Sequence, residues 1–199
     1  MNPTRSEDET PTRLDAHAGE NLQFIRDTME KASVFTAVPG WGTLAIGVIA
    51  LAVAMVTRGV WNDQAWIAVW VLTAALCFGV GVVATARKVR VAGLRMTGGA
   101  GARFWAGLIP TLVAGALTTV LLMRAGQADL LPPVWLLLYG AAILTAGWHS
   151  VRVLVLMGVC IMLAGALSVF SPSRDLTMAA GFGGLHVLFG YVIARQYGG

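Results

Sequence analysis

Six apolar stretches dominate this chain, at 42–57, 65–86, 104–123, 132–148, 153–170 and 176–194. Each is close to the ~20 residues that carry a helix across a hydrocarbon core of ~30 Å, the first and fourth being the shortest. Inside a bilayer no water is available to the backbone, so such segments must close their own hydrogen bonds as helices. Composition points the same way. Hydrophobic residues make up 57% and charged residues 12%, against roughly 25% charged in a soluble domain. A soluble bundle, the competing fold, would lack the polar surface to cover so much apolar area.

Charge separates the stretches and orients them. If the stretches all cross, one side of the membrane holds the N-terminal region, the 87–103 loop, the 149–152 link and the C-terminus. That side carries Arg5, Arg13, Arg26, Lys31, Arg87, Lys88, Arg90, Arg95, Arg103, Arg152 and Arg195. Of the 14 Lys and Arg residues, only Arg58, Arg124 and Arg174 fall on the other side. Positive charge is retained on the cytoplasmic side, so both termini are expected there, in a multi-pass protein of the inner membrane. The net charge of +4 is therefore a topology signal, and direct nucleic-acid binding is not expected.

The expected fold is all-α, a polytopic membrane bundle of about six transmembrane helices in three hairpins over residues 40–196. A polar tail at 1–19 has no apolar core of the kind a signal peptide requires and is expected to be disordered. Between them, at 20–36, Leu22, Ile25, Met29 and Ala32 repeat at helical spacing, and Phe24 and Phe35 widen the stripe. An amphipathic helix just ahead of a span reads as interfacial, lying on the inner leaflet; a soluble helix packed on the cytoplasmic loops is the alternative. Val38-Pro39-Gly40 then breaks the helix. The three expected hairpins end alike, at Gly81 and Arg87, Gly147 and Arg152, and Gly190 and Arg195, while Gly47 and Gly158 recur early in the leading helices of the first and third. Internal duplication would produce this pattern, as would positive-inside charge on glycine-rich membrane helices.

Ionisable groups within a bilayer are costly and mark function by default. No Asp, Glu or Lys falls in an expected span, which disfavours proton-coupled transport and intramembrane proteolysis. The exception is His186, in Gly183-Gly184-Leu185-His186. It reads either as a neutral imidazole bonded to a neighbouring helix, with Gly183 and Gly184 allowing close packing, or as a ligand contact, proton-responsive group or metal ligand. Trp148 and His149, at the cytoplasmic end of the fourth stretch, are further ligand-binding candidates. At ~1.5 Å per residue the depths of His149 and His186 differ by roughly 9 Å, which argues against a bis-histidine haem. His17 lies in the tail. Cys77 and Cys160 have no partner at a metal or redox spacing and read as small hydrophobes. No catalytic residue, metal or cofactor is assigned.

The 87–103 loop concentrates Arg87, Lys88, Arg90, Arg95 and Arg103 with no acid. Its Gly98-Gly99-Ala100-Gly101 lacks the phosphate-loop pattern. It reads as a contact for anionic lipid, with an acidic cytoplasmic partner as the alternative. Pro110 should kink the third stretch. Trp41, Trp61, Trp66, Trp105, Trp135 and Trp148 fall near the expected interfaces as an aromatic belt would, with Trp70 deeper. The many small residues in the spans suit tight packing or self-association.

Four segments, Phe24-Ile25-Arg26-Asp27-Thr28-Met29-Glu30-Lys31-Ala32, Val38-Pro39-Gly40-Trp41-Gly42, Trp135-Leu136-Leu137-Leu138-Tyr139-Gly140 and Ala180-Gly181-Phe182-Gly183-Gly184-Leu185-His186, resemble a family of small bacterial six-span proteins with no established activity. The resemblance covers about residues 20–199. Members are often encoded beside a small winged-helix transcription regulator, which implies a cytoplasmic regulator protein as partner. The leading functional expectation is a non-enzymatic membrane sensor or regulatory module for a hydrophobic or membrane-borne signal. A small oligomeric transporter or channel is the alternative, and a cofactor-dependent membrane enzyme comes third.

Overall fold

The computed structural model describes residues 13–32, 34–60, 62–93, 96–171 and 173–198. Residues 1–12, Trp61 and Arg95 lie outside them, and with them most of the expected polar tail. The described chain is all-helical; its only strand-like feature is an isolated bridge between Phe35 and Ser150. Two units are distinguished, residues 1–33 and 34–199. The first contains α1 (Arg13–Ala32), which begins ahead of the expected Glu20 and stops short of Phe35. On α1, Leu22, Ile25 and Met29 form the apolar side and all are exposed.

The second unit comprises α2 (Gly40–Val56), α3 (Asp63–Val91), α4 (Gly99–Arg124), α5 (Leu131–Gly147), α6 (Arg152–Ser168), α7 (Arg174–Met178) and α8 (Leu185–Tyr197). A 3₁₀ turn, Ala128–Leu130, leads into α5. A π segment, Ala179–Gly184, joins α7 to α8. Four helical stretches are long and apolar enough to cross a membrane: Asp63–Val91, Gly99–Arg124, Ala128–Gly147 and Arg174–Tyr197. The apolar helices α2 and α6 are shorter, at 17 residues each.

Local sequence explains the ends of these helices. Asn62 caps α3 by accepting from the Ala65 amide at 3.0 Å. Asp63 then stands in the first turn, with Lys88 and Arg90 in the last, each sign matched to the helix dipole. Ser173 caps α7 in the same way through the Leu176 amide. Helix α4 continues through Pro110. In the turn before it, where the proline disturbs the hydrogen-bond ladder, Thr145 of α5 donates to the Gly107 carbonyl at 2.8 Å.

Glycines decide which helices pair. Gly40 and Gly47 on α2 stand one heptad apart, as do Gly183 and Gly190 on the last helix. A Cβ at Gly47 would lie 2.6 Å from the Val187 nitrogen, and one at Gly190 would strike the Leu44 backbone. The pair α5 and α6 repeats this design with Gly140 and Gly147 against Gly158 and Gly165. A Cβ at Gly158 would lie 2.6 Å from the Leu144 nitrogen. Thus α2 packs chiefly against α8, and α6 chiefly against α5, with α4 on the other side of α5. Of the three expected hairpins, only α4 and α5 pack extensively as one. Lipid supplies no hydrophobic force between helices, so the pairs with the closest backbones dominate over pairs adjacent in sequence.

These contacts predict a sharp difference among glycines. Gly47→Ala and Gly158→Ala should each destabilise the protein by about 1–3 kcal/mol through forced overpacking. Gly79→Ala, whose Cβ meets nothing within 4 Å, should be neutral or slightly stabilising. Thermal unfolding of the detergent-solubilised variants measures both effects.

Candidate functional site

Three groups of residues stand out from the apolar packing. The first is a cleft of about 1000 Å3 between the start of α2, the second half of α3 and the end of α8. Ala75, Leu76, Gly79, Val80 and Val83 form its apolar floor, with Trp41 and Gly42 on the α2 side and Arg87, Lys88, Val91 and Tyr197 toward its mouth. The floor is wide because α3 presents small side chains there. Gly79 in particular leaves open space. Helices α2 and α3 come close where Gly42 faces Ala84.

Lys88 organises the mouth of this cleft. Its ammonium donates to the carbonyls of Val38 at 2.9 Å, Tyr197 at 2.8 Å and Gly198 at 2.6 Å. An ammonium has three N–H donors, so all of them are engaged. One side chain thereby joins the segment before α2, the end of α3 and the end of α8. Arg87, the next residue back, is exposed; it lines the same mouth and has no hydrogen bond or ion pair among the described residues. Beside this cluster the backbone of Phe35 is fixed to the α5–α6 link. Its amide donates to the His149 carbonyl at 2.9 Å and its carbonyl accepts from the Ser150 hydroxyl. The Phe35 ring packs on Phe104 with centroids 5.0 Å apart.

The second group lies at the opposite ends of these helices. Asp175, in the first turn of α7, accepts from the Thr57 hydroxyl at 2.7 Å and the Trp66 indole N–H at 2.9 Å, both on Oδ1. Arg174 pairs with Asp63 at 2.6 Å, donates to the Val60 carbonyl at 2.7 Å and lies 4.7 Å over the Trp66 ring. Trp66 is only 1% exposed. It stacks on Trp135, with centroids 5.9 Å apart and planes within 4°; Trp135 donates to Thr119 at 2.8 Å. This node ties α2, α3, α4, α5 and α7 together. It is a structural lock with every strong donor matched.

The third group surrounds His186, which is 1% exposed. Its Nε2 is 2.8 Å from the Tyr139 hydroxyl, and Phe182 lies against both rings. Nδ1 has no hydrogen-bond partner among the described residues. The π segment just before it follows from Ala179-Ala180-Gly181-Phe182-Gly183-Gly184, whose glycines weaken regular helix and admit the wider turn. Gly181 abuts the Leu136 side chain and Gly183 that of Leu51, whereas Gly184 is exposed and its Cβ would meet only the Ala179 carbonyl, at 3.8 Å. The segment is therefore wedged between α2 and α5.

The residues expected from the sequence fall into separate places. Trp148 and His149 are exposed at the α5–α6 link, well apart in chain and surroundings from the buried His186–Tyr139 pair. Arg87 and Lys88 come together at the cleft, but Arg90 and Arg103 do not line it. Trp41 and Trp148 are exposed as belt residues would be; Trp66 and Trp70 are buried in the protein instead. Among the described residues no three His, Cys, Asp or Glu side chains gather to hold a metal ion. Two features escaped sequence reasoning: the Lys88 tether and the Asp175 node. The signal for the second was an acid two residues after a capping Ser173 and just before an apolar stretch.

No protein-family model, curated protein sequence or solved structure matches this chain.

The Asp175 node yields a second prediction. Asp175→Ala leaves the buried Trp66 N–H without an acceptor, which should cost about 1–3 kcal/mol, while the Thr57 hydroxyl keeps the Val53 carbonyl at 3.0 Å. Asp175→Asn keeps an oxygen at the same place and should recover most of the loss. Denaturant titration in detergent, followed by tryptophan fluorescence, reads the difference directly.

Proposed function

We propose that this protein is a non-enzymatic regulatory module of the inner membrane that takes a hydrophobic, membrane-borne ligand into the cleft beside α3. In this reading all six long apolar helices cross the bilayer, with both termini cytoplasmic. At ~1.5 Å per residue the 17-residue helices α2 and α6 reach about 25 Å, at the short end of the spanning range. Alternation of the helix ends supports this: Val38, Lys88 and Tyr197 meet at one end, Thr57, Trp66 and Asp175 at the other. Among the described residues of the second unit, Arg87, Lys88, Arg90, Arg103, Arg152 and Arg195 lie toward the first end and Arg58, Arg124 and Arg174 toward the other, the bias expected of a cytoplasmic face.

The single observation that carries the regulatory reading is the Lys88 tether. Apolar binding surface and cytoplasmic backbone meet at one side chain, so filling the cleft acts on the carbonyls of Val38, Tyr197 and Gly198. Those carbonyls belong to the segment before α2 and to the turn after α8, chain that this orientation offers to a cytoplasmic regulator protein. A ligand shifts such an equilibrium only through different contacts in the two states, and displacement of the tether is one such difference.

Native mass spectrometry of protein extracted in mild detergent should find a lipid-sized adduct. Gly79→Trp, which fills the cleft, should lower the retained fraction about fivefold. Amide exchange at Phe35–Val38 and Tyr197–Gly198 should differ between loaded and emptied protein. An adduct indifferent to Gly79→Trp removes the cleft from the model. An adduct without the exchange difference removes the regulation.

A further inference from the structure

We infer that the occupant of the cleft is a single anionic phospholipid of the leaflet at the basic end, its phosphate on Arg87 and an acyl chain along α3. The inference rests on the cleft reading above and adds the chemical class of its ligand.

Length is the first argument. From Ala75 to Val91, both in the cleft lining, α3 advances about 24 Å at ~1.5 Å per residue. One leaflet with its headgroups is about 20–22 Å, half of a bilayer of ~40–45 Å. The cleft therefore matches one lipid from chain terminus to headgroup. A ligand confined to the headgroup layer would leave the Ala75–Gly79 half unused.

Polarity along the cleft is the second. Its deep half is lined by Ala75, Leu76, Gly79 and Val83, while its charged residues, Arg87 and Lys88, both stand at the shallow end. That is the polarity of a lipid lying in the leaflet.

Hydrogen-bonding capacity is the third. The Lys88 donors are already spent on three carbonyls, so Lys88 offers charge but no free N–H. Arg87 has five donors in a planar fork and no partner among the described residues. A guanidinium of this kind recognises phosphate oxygens in a bidentate manner. Two adjacent cations, neither paired with a carboxylate among the described residues, select net negative charge over a zwitterionic headgroup, whose own ammonium would be repelled.

The test uses the full chain in nanodiscs of equal parts phosphatidylglycerol and phosphatidylcholine, with lipids retained after detergent extraction identified by native mass spectrometry. The wild-type protein should retain phosphatidylglycerol in preference to phosphatidylcholine. Arg87→Gln should lower that preference about tenfold, the weight of one charge-assisted contact. Arg152→Gln, an exposed cation at the same end outside the cleft, should leave it unchanged. Equal loss in both variants would reduce the effect to diffuse surface charge and overturn the inference. Retention in Arg87→Gln equal to wild type, with loss in Gly79→Trp, would overturn the headgroup assignment while the cleft survives. Retention unaffected by Gly79→Trp would overturn both.

Discussion

Everything in this structure depends on how closely helix backbones can approach one another where lipid replaces water. Apolar side chains gain nothing by leaving lipid for a helix surface, so association rests on packing at short range. Glycine notches supply that range in two antiparallel pairs. Gly40 and Gly47 receive the backbone of the last helix, while Gly190 receives that of α2 and Gly183 the Leu51 side chain; Gly140 and Gly147 meet Gly158 and Gly165 in much the same fashion. The first pair closes the start of the bundle onto its end. The second fixes α5 and α6 beside it, with Leu136 and Ile161 fully buried in the core they share.

The remaining helices are held differently. Helix α3 meets α5 and α4 through rings: Trp66 on Trp135 at one end, and Phe78 edge-on to Trp105 of α4 farther along. Toward α2 it approaches closely where Gly42 faces Ala84, and the cleft lies beside that contact, where Gly79 leaves open space. The two ends of α3 are also secured by different chemistry. At one end a carboxylate collects two side-chain donors, one of them the N–H of the buried Trp66, which its loss would orphan. At the other, an ammonium bonds three carbonyls, two of them in exposed surroundings, where water or an anion can replace a carbonyl as its acceptor at small net cost. One end of α3 is pinned and the other is exchangeable.

Features that arise from short stretches of sequence were legible in it. Apolar length gave the long helices of the second unit, and Pro39-Gly40 the break before α2. Charge placement set two ends wrongly: where a loop over 87–103 was expected, Arg87, Lys88 and Arg90 lie within α3 and Arg103 within α4, because charged side chains at a helix end reach solvent without breaking the helix. The glycines were visible as packing residues, but their partners were not. That Gly47 faces Val187 depends on the two ends of the chain meeting, and no periodicity within either helix encodes it. Thr57 and Trp66 meet Asp175 across more than a hundred residues for the same reason. Trp66 read as a belt residue because its distance from a charged turn is all that sequence reveals; whether such a ring faces lipid or protein is decided by the neighbour that covers it. Phe35 read as part of an amphipathic stripe, yet its bonds to His149 and Ser150 draw it out of α1 and into the second unit.

The same packing logic explains why the function is placed at the cleft and not at His186. An ionisable residue within a span invites a functional reading, and Nδ1 of His186 lacks a partner among the described residues. But the imidazole is enclosed by Tyr139 and Phe182, on a segment wedged through Gly181 and Gly183 against α5 and α2. Admitting a ligand there would mean separating helices at their closest contacts, and interiors packed this tightly resist small displacements. The hydrogen bond to Tyr139 instead ties the last helix to α5. The buried histidine is thus a packing contact between helices, while the proposed site lies along α3, outside that packing.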